Sequence, residues 1–264
     1  FNAVIKNQKV YFHRLATTQD KDELVYARPD EPNWGFAAEV TEDGRWLLIF
    51  QSEGTDRENR VFLKDLNDPK ARIEPFLDQF DASYNVVGND AATFYVVTDK
   101  DAPRYRVVAI ERGRTATSAW TSLIPQASNR DVLSSASMIA NRFVTVWRTD
   151  AHEKLRIFGL DGAFENEIPL PVIGSIAGLS GKREDPDGFY AFTSFTYPLT
   201  TFRYDFATKT STVFKQPTVD FDPNAFEIKQ VFYPTRDGTR IPMFIVHQKG
   251  LVPNGANPTY LYAY

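Results

Sequence analysis

The sequence contains no cysteine, so neither a disulfide framework nor a thiolate metal site can form. Histidine is also scarce: His13, His152 and His247 lie far apart along the chain. We predict structural positions for all three, because no histidine and carboxylate residues occur at metal-ligand spacing. The sequence therefore predicts no bound metal and no cofactor.

Long hydrophobic runs and a strong net charge are absent as well. No apolar run approaches the roughly 20 residues that cross a bilayer. The 30 basic and 34 acidic residues give a formal net charge of −4, without a basic stripe. We therefore expect neither a membrane nor a nucleic acid as partner. The lack of cysteine fits a reducing compartment such as the cytoplasm and does not exclude the periplasm, so the compartment stays open between these two.

Catalytic motifs are missing too. A serine nucleophile elbow needs G-x-S-x-G, and the nearest segment, Gly178-Leu179-Ser180-Gly181, has its second glycine one place early. Asp185-Pro186-Asp187-Gly188 lacks the later glutamate of a calcium loop, so we interpret it as a hairpin turn. The N-terminal residues Phe1 to Val4 have no initiating methionine and no signal-peptide organisation, and we expect an internal part of a longer protein.

The chain is nevertheless rich in core-forming residues, with 42% hydrophobic and 14% aromatic residues, as expected of a folded protein. Short apolar segments follow polar turns at regular spacing. The first aromatics of successive segments, Trp46, Phe94, Phe143 and Phe189, are separated by 48, 49 and 46 residues. Such a constant period indicates a repeat architecture.

Each repeat holds further strand-like segments, which predicts four short antiparallel strands per unit. That organisation is typical of a β-propeller blade, whereas a β-sandwich does not repeat one strand order at constant spacing. We predict an all-β fold in which Val10 to Leu15 and Glu23 to Ala27 are the outer strands of one further blade, giving about four and a half blades. The four whole blades are predicted at 31–79, 80–126, 127–171 and 172–218.

The C-terminal segment differs from these repeats. An aromatic strand at Val231 to Tyr233 and an apolar strand at Ile241 to Val246 flank the turn Asp237-Gly238. Another strand is predicted at Tyr260 to Tyr264, where the sequence Tyr-Leu-Tyr-Ala-Tyr occurs.

Residues 230–251 resemble the junction between propeller and hydrolase in the prolyl oligopeptidase family. Three further segments are similar to the same family: 29–34 followed by 43–45, 174–181, and 192–195. The resemblance implies part of a seven-bladed propeller over residues 1–222, then the first strands of an α/β-hydrolase domain over residues 223–264.

The resemblance also implies an activity: a serine peptidase that cleaves short proline-containing oligopeptides after proline, with the propeller gating access to the active site. The Ser, Asp and His of the triad would lie outside this chain, which by itself would be inactive. Its partners would be the remaining blades and the rest of the hydrolase domain. Tyr264 matches the family's oxyanion donor, and Val25 matches a propeller position that carries a cysteine near the substrate pocket in some members.

Two alternatives remain open. A propeller can be a binding or scaffold module, although such a module has no use for strands at 241–246 and 260–264. An oligopeptidase B-like enzyme, which cleaves after basic residues, shares the architecture. The segment Asp30-Glu31-Pro32-Asn33-Trp34 favours the prolyl branch.

Overall fold

A computed structural model describes residues 6–263 of the chain. Its regular elements are antiparallel strands and three short 3-10 turns, and residues 6–263 contain no α-helix. Four sheets have four strands each, and two hairpins precede and follow them. The predicted all-β propeller architecture is confirmed.

The four sheets follow one another in the order predicted from the repeat. Sheet 1 contains β3 (Trp34–Val40), β4 (Trp46–Glu53), β5 (Asn59–Asp65) and β6 (Glu74–Leu77). Sheet 2 contains β7 (Tyr84–Asp90), β8 (Thr93–Thr98), β9 (Arg106–Glu111) and β10 (Thr121–Ile124). Sheet 3 contains β11 (Val132–Ile139), β12 (Arg142–Thr149), β13 (His152–Gly159) and β14 (Phe164–Ile168). Sheet 4 contains β15 (Ser175–Ser180), β16 (Asp187–Thr193), β17 (Thr200–Asp205) and β18 (Thr210–Lys215).

Tight turns connect the strands of sheet 3. Ala140 and Asn141 join β11 to β12, and Asp150 and Ala151 join β12 to β13; all four residues have positive φ angles between 44° and 66°. Two consecutive positive φ angles define the turn whose twist matches that of antiparallel strands. Alanine is unfavourable in this conformation, so strand pairing on both sides must hold these turns in place.

Alternating residues of one strand pack against two neighbouring sheets. On β8, Phe94 and Val96 lie in the core shared with sheet 1, whereas Tyr95 and Val97 lie in the core shared with sheet 3. The ring of Phe94 is 5.5 Å from that of Trp46 in sheet 1. Side chains alternate between the two faces of a strand, so a strand covered on both faces is apolar along its length.

The same alternation continues into sheet 4. On β12, Phe143 and Trp147 face sheet 2, while Val144 and Val146 belong to the core formed with sheet 4. Each pair of consecutive sheets therefore shares a hydrophobic core, and the sheets stack in sequence as the blades of a propeller.

The two hairpins lie outside these sheets. The first pairs β1 (Lys9–Phe12) with β2 (Glu23–Ala27), so the predicted strand from Val10 to Leu15 ends earlier, at Phe12. The second pairs β19 (Phe226–Pro234) with β20 (Arg240–Gln248) along their whole length. Both C-terminal strands are longer than predicted.

The predicted strand at Tyr260 to Tyr264 is wrong for its described part. Residues 260–263 carry no strand, because their main-chain groups join no ladder among residues 6–263. Tyr264 lies outside the described residues.

Candidate functional site: a central cavity

The first strands of the sheets lie together at the centre of the fold. Strand β7 contacts β11, and β11 contacts β15, although these strands belong to different sheets. Residues 37–40 of β3 are exposed, and most of β15 is exposed as well. Exposed first strands facing one another are the expected walls of a propeller's central channel.

A cavity of about 650 Å³ lies between these strands. Its wall is formed by residues 39–43 at the end of β3 and by residues 86–90 at the end of β7, together with Leu48, Met138, Asn141, Arg183 and Glu184. Most of these residues lie in or beside the turns that connect the first and second strands of the four sheets. These turns therefore form one mouth of the cavity, which we call the inner mouth.

The inner mouth is acidic. Five carboxylates, those of Glu39, Glu42, Asp43, Asp90 and Glu184, line the cavity together with one arginine, Arg183. Although Glu39 is exposed to the cavity, desolvation by the surrounding protein raises its pKa above its ordinary value.

Asp43 is tied to its surroundings by hydrogen bonds. Burial alone would raise its pKa, but hydrogen bonds from the Thr41 hydroxyl, the Asn89 amide and the main-chain N–H of Arg45 outweigh that effect and lower the pKa. The Asn89 amide donates to Asp43 at 2.8 Å, which joins the turn of sheet 2 to the turn of sheet 1.

A glycine allows close packing beneath the mouth. A Cβ atom built on Gly88 would lie 2.3 Å from Cε of Met138 in the neighbouring first strand. The missing side chain therefore lets β7 and β11 approach each other at the cavity wall.

The hairpin formed by β19 and β20 lies at the opposite end of the sheets. The Gln230 side chain of β19 donates a hydrogen bond to the main-chain carbonyl of Asp150, in the turn between β12 and β13. Phe244 of β20 packs against Phe195, which precedes β17, with ring centres 5.8 Å apart. Turns between second and third strands lie at the opposite end from the inner mouth, so the hairpin covers part of that far end.

A second hollow of about 580 Å³ also lies at the far end, beside sheet 1, and Trp34 and residues 56–59 contribute to its wall. The ring of Trp34 lies between two guanidinium groups, at 4.5 Å from Arg28 and 4.9 Å from Arg60. Arg28 in turn donates to Asp30. The Asp-Glu-Pro-Asn-Trp segment therefore holds a cation–π stack at the rim of this hollow.

The remaining sequence candidates are dispersed. Val25 is half-buried on β2, where the pairing with β1 shifts register, and it is absent from the walls of both cavities. His13 pairs with Asp22 at 2.6 Å on the exposed first hairpin. His247 lies 3.4 Å from Glu227 in the second hairpin. Nδ1 of His152 is buried and has no hydrogen-bond partner among residues 6–263.

Among the hydrogen bonds of residues 6–263, no serine or threonine hydroxyl bonds to any of these histidines. Within the same residues, no group of three or more His, Asp or Glu side chains is placed to hold a metal ion. No helix in this part of the chain has the length and hydropathy of a membrane span.

Comparison with known proteins explains this arrangement. Residues 2–217 match the family model "Prolyl oligopeptidase, N-terminal beta-propeller domain". The chain belongs to the prolyl oligopeptidase family. The matched segment contains all four four-stranded sheets of this prolyl oligopeptidase propeller and ends before the β19–β20 hairpin.

Curated relatives of the chain are named prolyl endopeptidases and prolyl oligopeptidases. The chain is 35% identical to a prolyl endopeptidase of Elizabethkingia meningoseptica over 97% of its own length and 36% of the relative's length. It is 28% identical to prolyl oligopeptidase A of Amanita bisporigera over 98% of this chain and 35% of that protein. The chain thus spans about a third of the length of the curated relatives it matches.

Solved structures show the same fold. A prolyl endopeptidase structure superposes with a TM-score of 0.80 at 33% identity, over 95% of this chain and 37% of that one. Prolyl oligopeptidase B from Galerina marginata, in its apo form, superposes with a TM-score of 0.84 at 25% identity, over 93% of this chain and 35% of that one. Another structure of that protein is bound to a 35mer substrate.

Sequence reasoning missed the inner mouth and Arg183. Polar turn residues recur after the first strand of each repeat, and this periodicity places them at one end of a propeller. No comparable pattern in the sequence predicts which of these residues contact one another across the cavity, because they lie in different repeats.

Proposed function

We propose that this chain is the propeller and hydrolase-junction portion of a serine peptidase that cleaves short peptides after proline. The observation that carries the proposal is the family membership, together with relatives named prolyl endopeptidases that align over nearly the whole chain. Substrate class and reaction are transferred from those relatives.

The propeller's part in this function is to restrict access. The central cavity of about 650 Å³ is far smaller than a folded protein domain and accommodates only a peptide segment. We assign residues 1–222 to the propeller and residues 223–264 to the beginning of the hydrolase domain. The hairpin at the far end supports this assignment, since a hydrolase domain continuing from β20 would lie over that end.

We assign the catalytic triad to residues outside this chain and the oxyanion donor to its last residue, Tyr264. The nucleophile, its histidine and the triad aspartate would come from further hydrolase residues, and Tyr264 would donate its hydroxyl to the oxyanion of the tetrahedral intermediate. Val25 is proposed as a neighbour of the substrate pocket. Within residues 6–263 no hydroxyl nucleophile bonds to the His13–Asp22 pair, so these residues provide no triad around that pair.

Activity assays on the full-length enzyme test this proposal. We expect hydrolysis of a chromogenic peptide after proline, loss of turnover with a serine-directed inhibitor, and no turnover by the 264-residue chain alone. A matched peptide with arginine in place of proline is the control. Preferential cleavage after arginine would favour the oligopeptidase B-like alternative, and no cleavage of either peptide would favour a scaffold role.

A further inference from the structure

Arg183 connects the inner turns of all four sheets. It lies in the segment between β15 and β16 of sheet 4, and its side chain is partly buried. Its main-chain N–H donates to the Glu42 carboxylate of sheet 1 at 3.0 Å. Its guanidinium donates from Nη1 to the Asn89 carbonyl of sheet 2 at 2.8 Å and from Nε to Oδ1 of Asn141 in sheet 3 at 2.7 Å.

The partners of Arg183 are themselves linked. The Asn89 amide donates to Asp43, and the main-chain N–H of Asn141 donates to the carbonyl of Arg183 at 2.7 Å. Asp90 lies 3.7 Å from Nη1 of Arg183. We call Arg183 with Glu42, Asn89 and Asn141 the inner clasp. Through Arg183 its hydrogen bonds link the inner turns of all four sheets across the inner mouth.

The clasp differs from the contacts that hold the propeller together. Within residues 6–263, the hydrophobic cores join consecutive sheets: sheet 1 with 2, 2 with 3, and 3 with 4. Arg183 instead joins sheet 4 to sheets 1 and 2, across the cavity. Glu42 and Asn141 are exposed and Asn89 is buried, so opening the clasp at Glu42 and Asn141 replaces protein hydrogen bonds with water.

We propose that Arg183 determines the length of peptide that the enzyme accepts, by closing the inner mouth over the central cavity. The inference rests on the proposed peptidase function. A short peptide is accommodated within the cavity and the space beyond it, whereas a long peptide must extend through the inner mouth and open the clasp. A guanidinium is required because its planar group donates to two fixed acceptors on different sheets at once.

Substitutions of Arg183 in the full-length enzyme test the inference. Arg183→Ala removes both guanidinium bonds. Arg183→Lys keeps the charge, but one ammonium group cannot reproduce the two-acceptor geometry. The matched control is Arg114→Ala, because Arg114 is an exposed arginine that follows β9, at the same end of sheet 2, and pairs only with its neighbour Glu111 within residues 6–263.

Two readouts are measured. The first is kcat/KM for two peptides with the same residues around one proline, of about 6 and about 30 residues, since extended chains of these lengths differ about fivefold in reach. The second is hydrogen exchange at residues 41–43, 89–91 and 140–141. We expect Arg183→Ala to raise the long-to-short kcat/KM ratio at least about threefold and to accelerate exchange, with Arg183→Lys intermediate and Arg114→Ala unchanged.

Faster exchange at these turns with an unchanged ratio would overturn the inference, and so would unchanged exchange. If the wild-type enzyme fails to cleave any proline peptide, the proposed function fails. The exchange measurement then decides separately whether Arg183 closes the mouth.

Discussion

Nη2 of Arg156 donates to the carboxylate of Asp131 at 2.7 Å, and Asp131 is almost fully buried, with 1% of its surface exposed. Asp131 immediately precedes β11, and the Thr149 hydroxyl on β12 also donates to it. Arg156 lies on β13 and donates in addition to Glu167 on β14. The hydrogen bonds of Asp131 and Arg156 therefore connect all four strands of sheet 3 towards the far end.

Replacing this buried carboxylate is expected to destabilise the protein. Asp131→Asn leaves the Arg156 cation with Glu167 as its remaining acidic partner, so we expect a loss of about 1.5–3 kcal/mol in the free energy of unfolding. Chemical denaturation measures it. The control is Glu111→Gln, which breaks an exposed pair with Arg114 and is expected to cost less than about 0.5 kcal/mol. Equal effects of the two substitutions would contradict the prediction.

The contribution of Asp131 to the free energy of unfolding is also expected to depend on pH. Burial raises the pKa of Asp131, but the hydrogen bonds from Thr149 and Arg156 and the positive charge of Arg156 outweigh it, and the pKa is lowered from 3.8. A lowered carboxyl pKa stabilises the folded state above the unfolded pKa, and this stabilisation is lost as the pH falls through the folded pKa. The difference in the free energy of unfolding between wild type and Asp131→Asn should thus be constant above about pH 5 and should shrink below pH 3.8. A difference that grows on acidification would refute this.

Packing between sheets 2 and 3 depends on Phe143. Its side chain is completely buried, and its ring meets that of Tyr95 edge-on at 5.2 Å. Phe143→Ala leaves a cavity between the sheets, and we expect a loss of about 3–5 kcal/mol, measured by denaturation. Phe214→Ala is the matched control: Phe214 is 65% exposed on β18, and we expect a loss below about 1 kcal/mol. Similar losses for the two variants would show that the sheets do not share the described core.

The proposed role of Tyr264 predicts a change in kcat. In the full-length enzyme, Tyr264→Phe should lower kcat by about 10²–10³ with little change in KM, because the hydroxyl meets a charge that develops in the transition state. Steady-state kinetics with a proline peptide measure the effect. Tyr262→Phe is the matched control, since it removes a phenolic hydroxyl that is two residues away and is expected to leave kcat unchanged. An unaltered kcat for Tyr264→Phe would reject the assignment.

The isolated 264-residue chain is expected to self-associate. Apolar side chains are exposed on the first hairpin, where Leu15 is 88% and Leu24 56% exposed, and on sheet 4, where Val213 and Phe214 are 52% and 65% exposed. Exposed apolar surface and open strand edges promote association. Sedimentation velocity at micromolar concentration tests this, with the full-length enzyme as the control. A compact monomer that unfolds cooperatively would contradict the prediction.

The periodicity of the sequence is sufficient to predict the repeat and therefore the sheets. Trp46, Phe94, Phe143 and Phe189 lie at or near the start of β4, β8, β12 and β16, and they recur at nearly constant spacing, each after a polar turn. Such local patterns predict the strands of each sheet because strand pairing within a sheet joins segments that are adjacent in the sequence. Family membership was predictable for the same reason, because the junction motif at residues 230–251 is one continuous segment of the sequence.

The residues that meet across the cavity are brought together by the packing of the sheets, which the sequence pattern does not reveal. Arg183 contacts Glu42 and Asn89 from positions 141 and 94 residues further along the chain, and its own turn has no pattern that names these partners. Residues 260–263 show the complementary case. Their alternating aromatic pattern predicts a strand, but a strand forms only where its main-chain groups pair with a neighbouring strand. The preceding strand, β20, pairs with β19 and not with residues 260–263. Sequence patterns predict which segments can pair, whereas packing decides which partners they have.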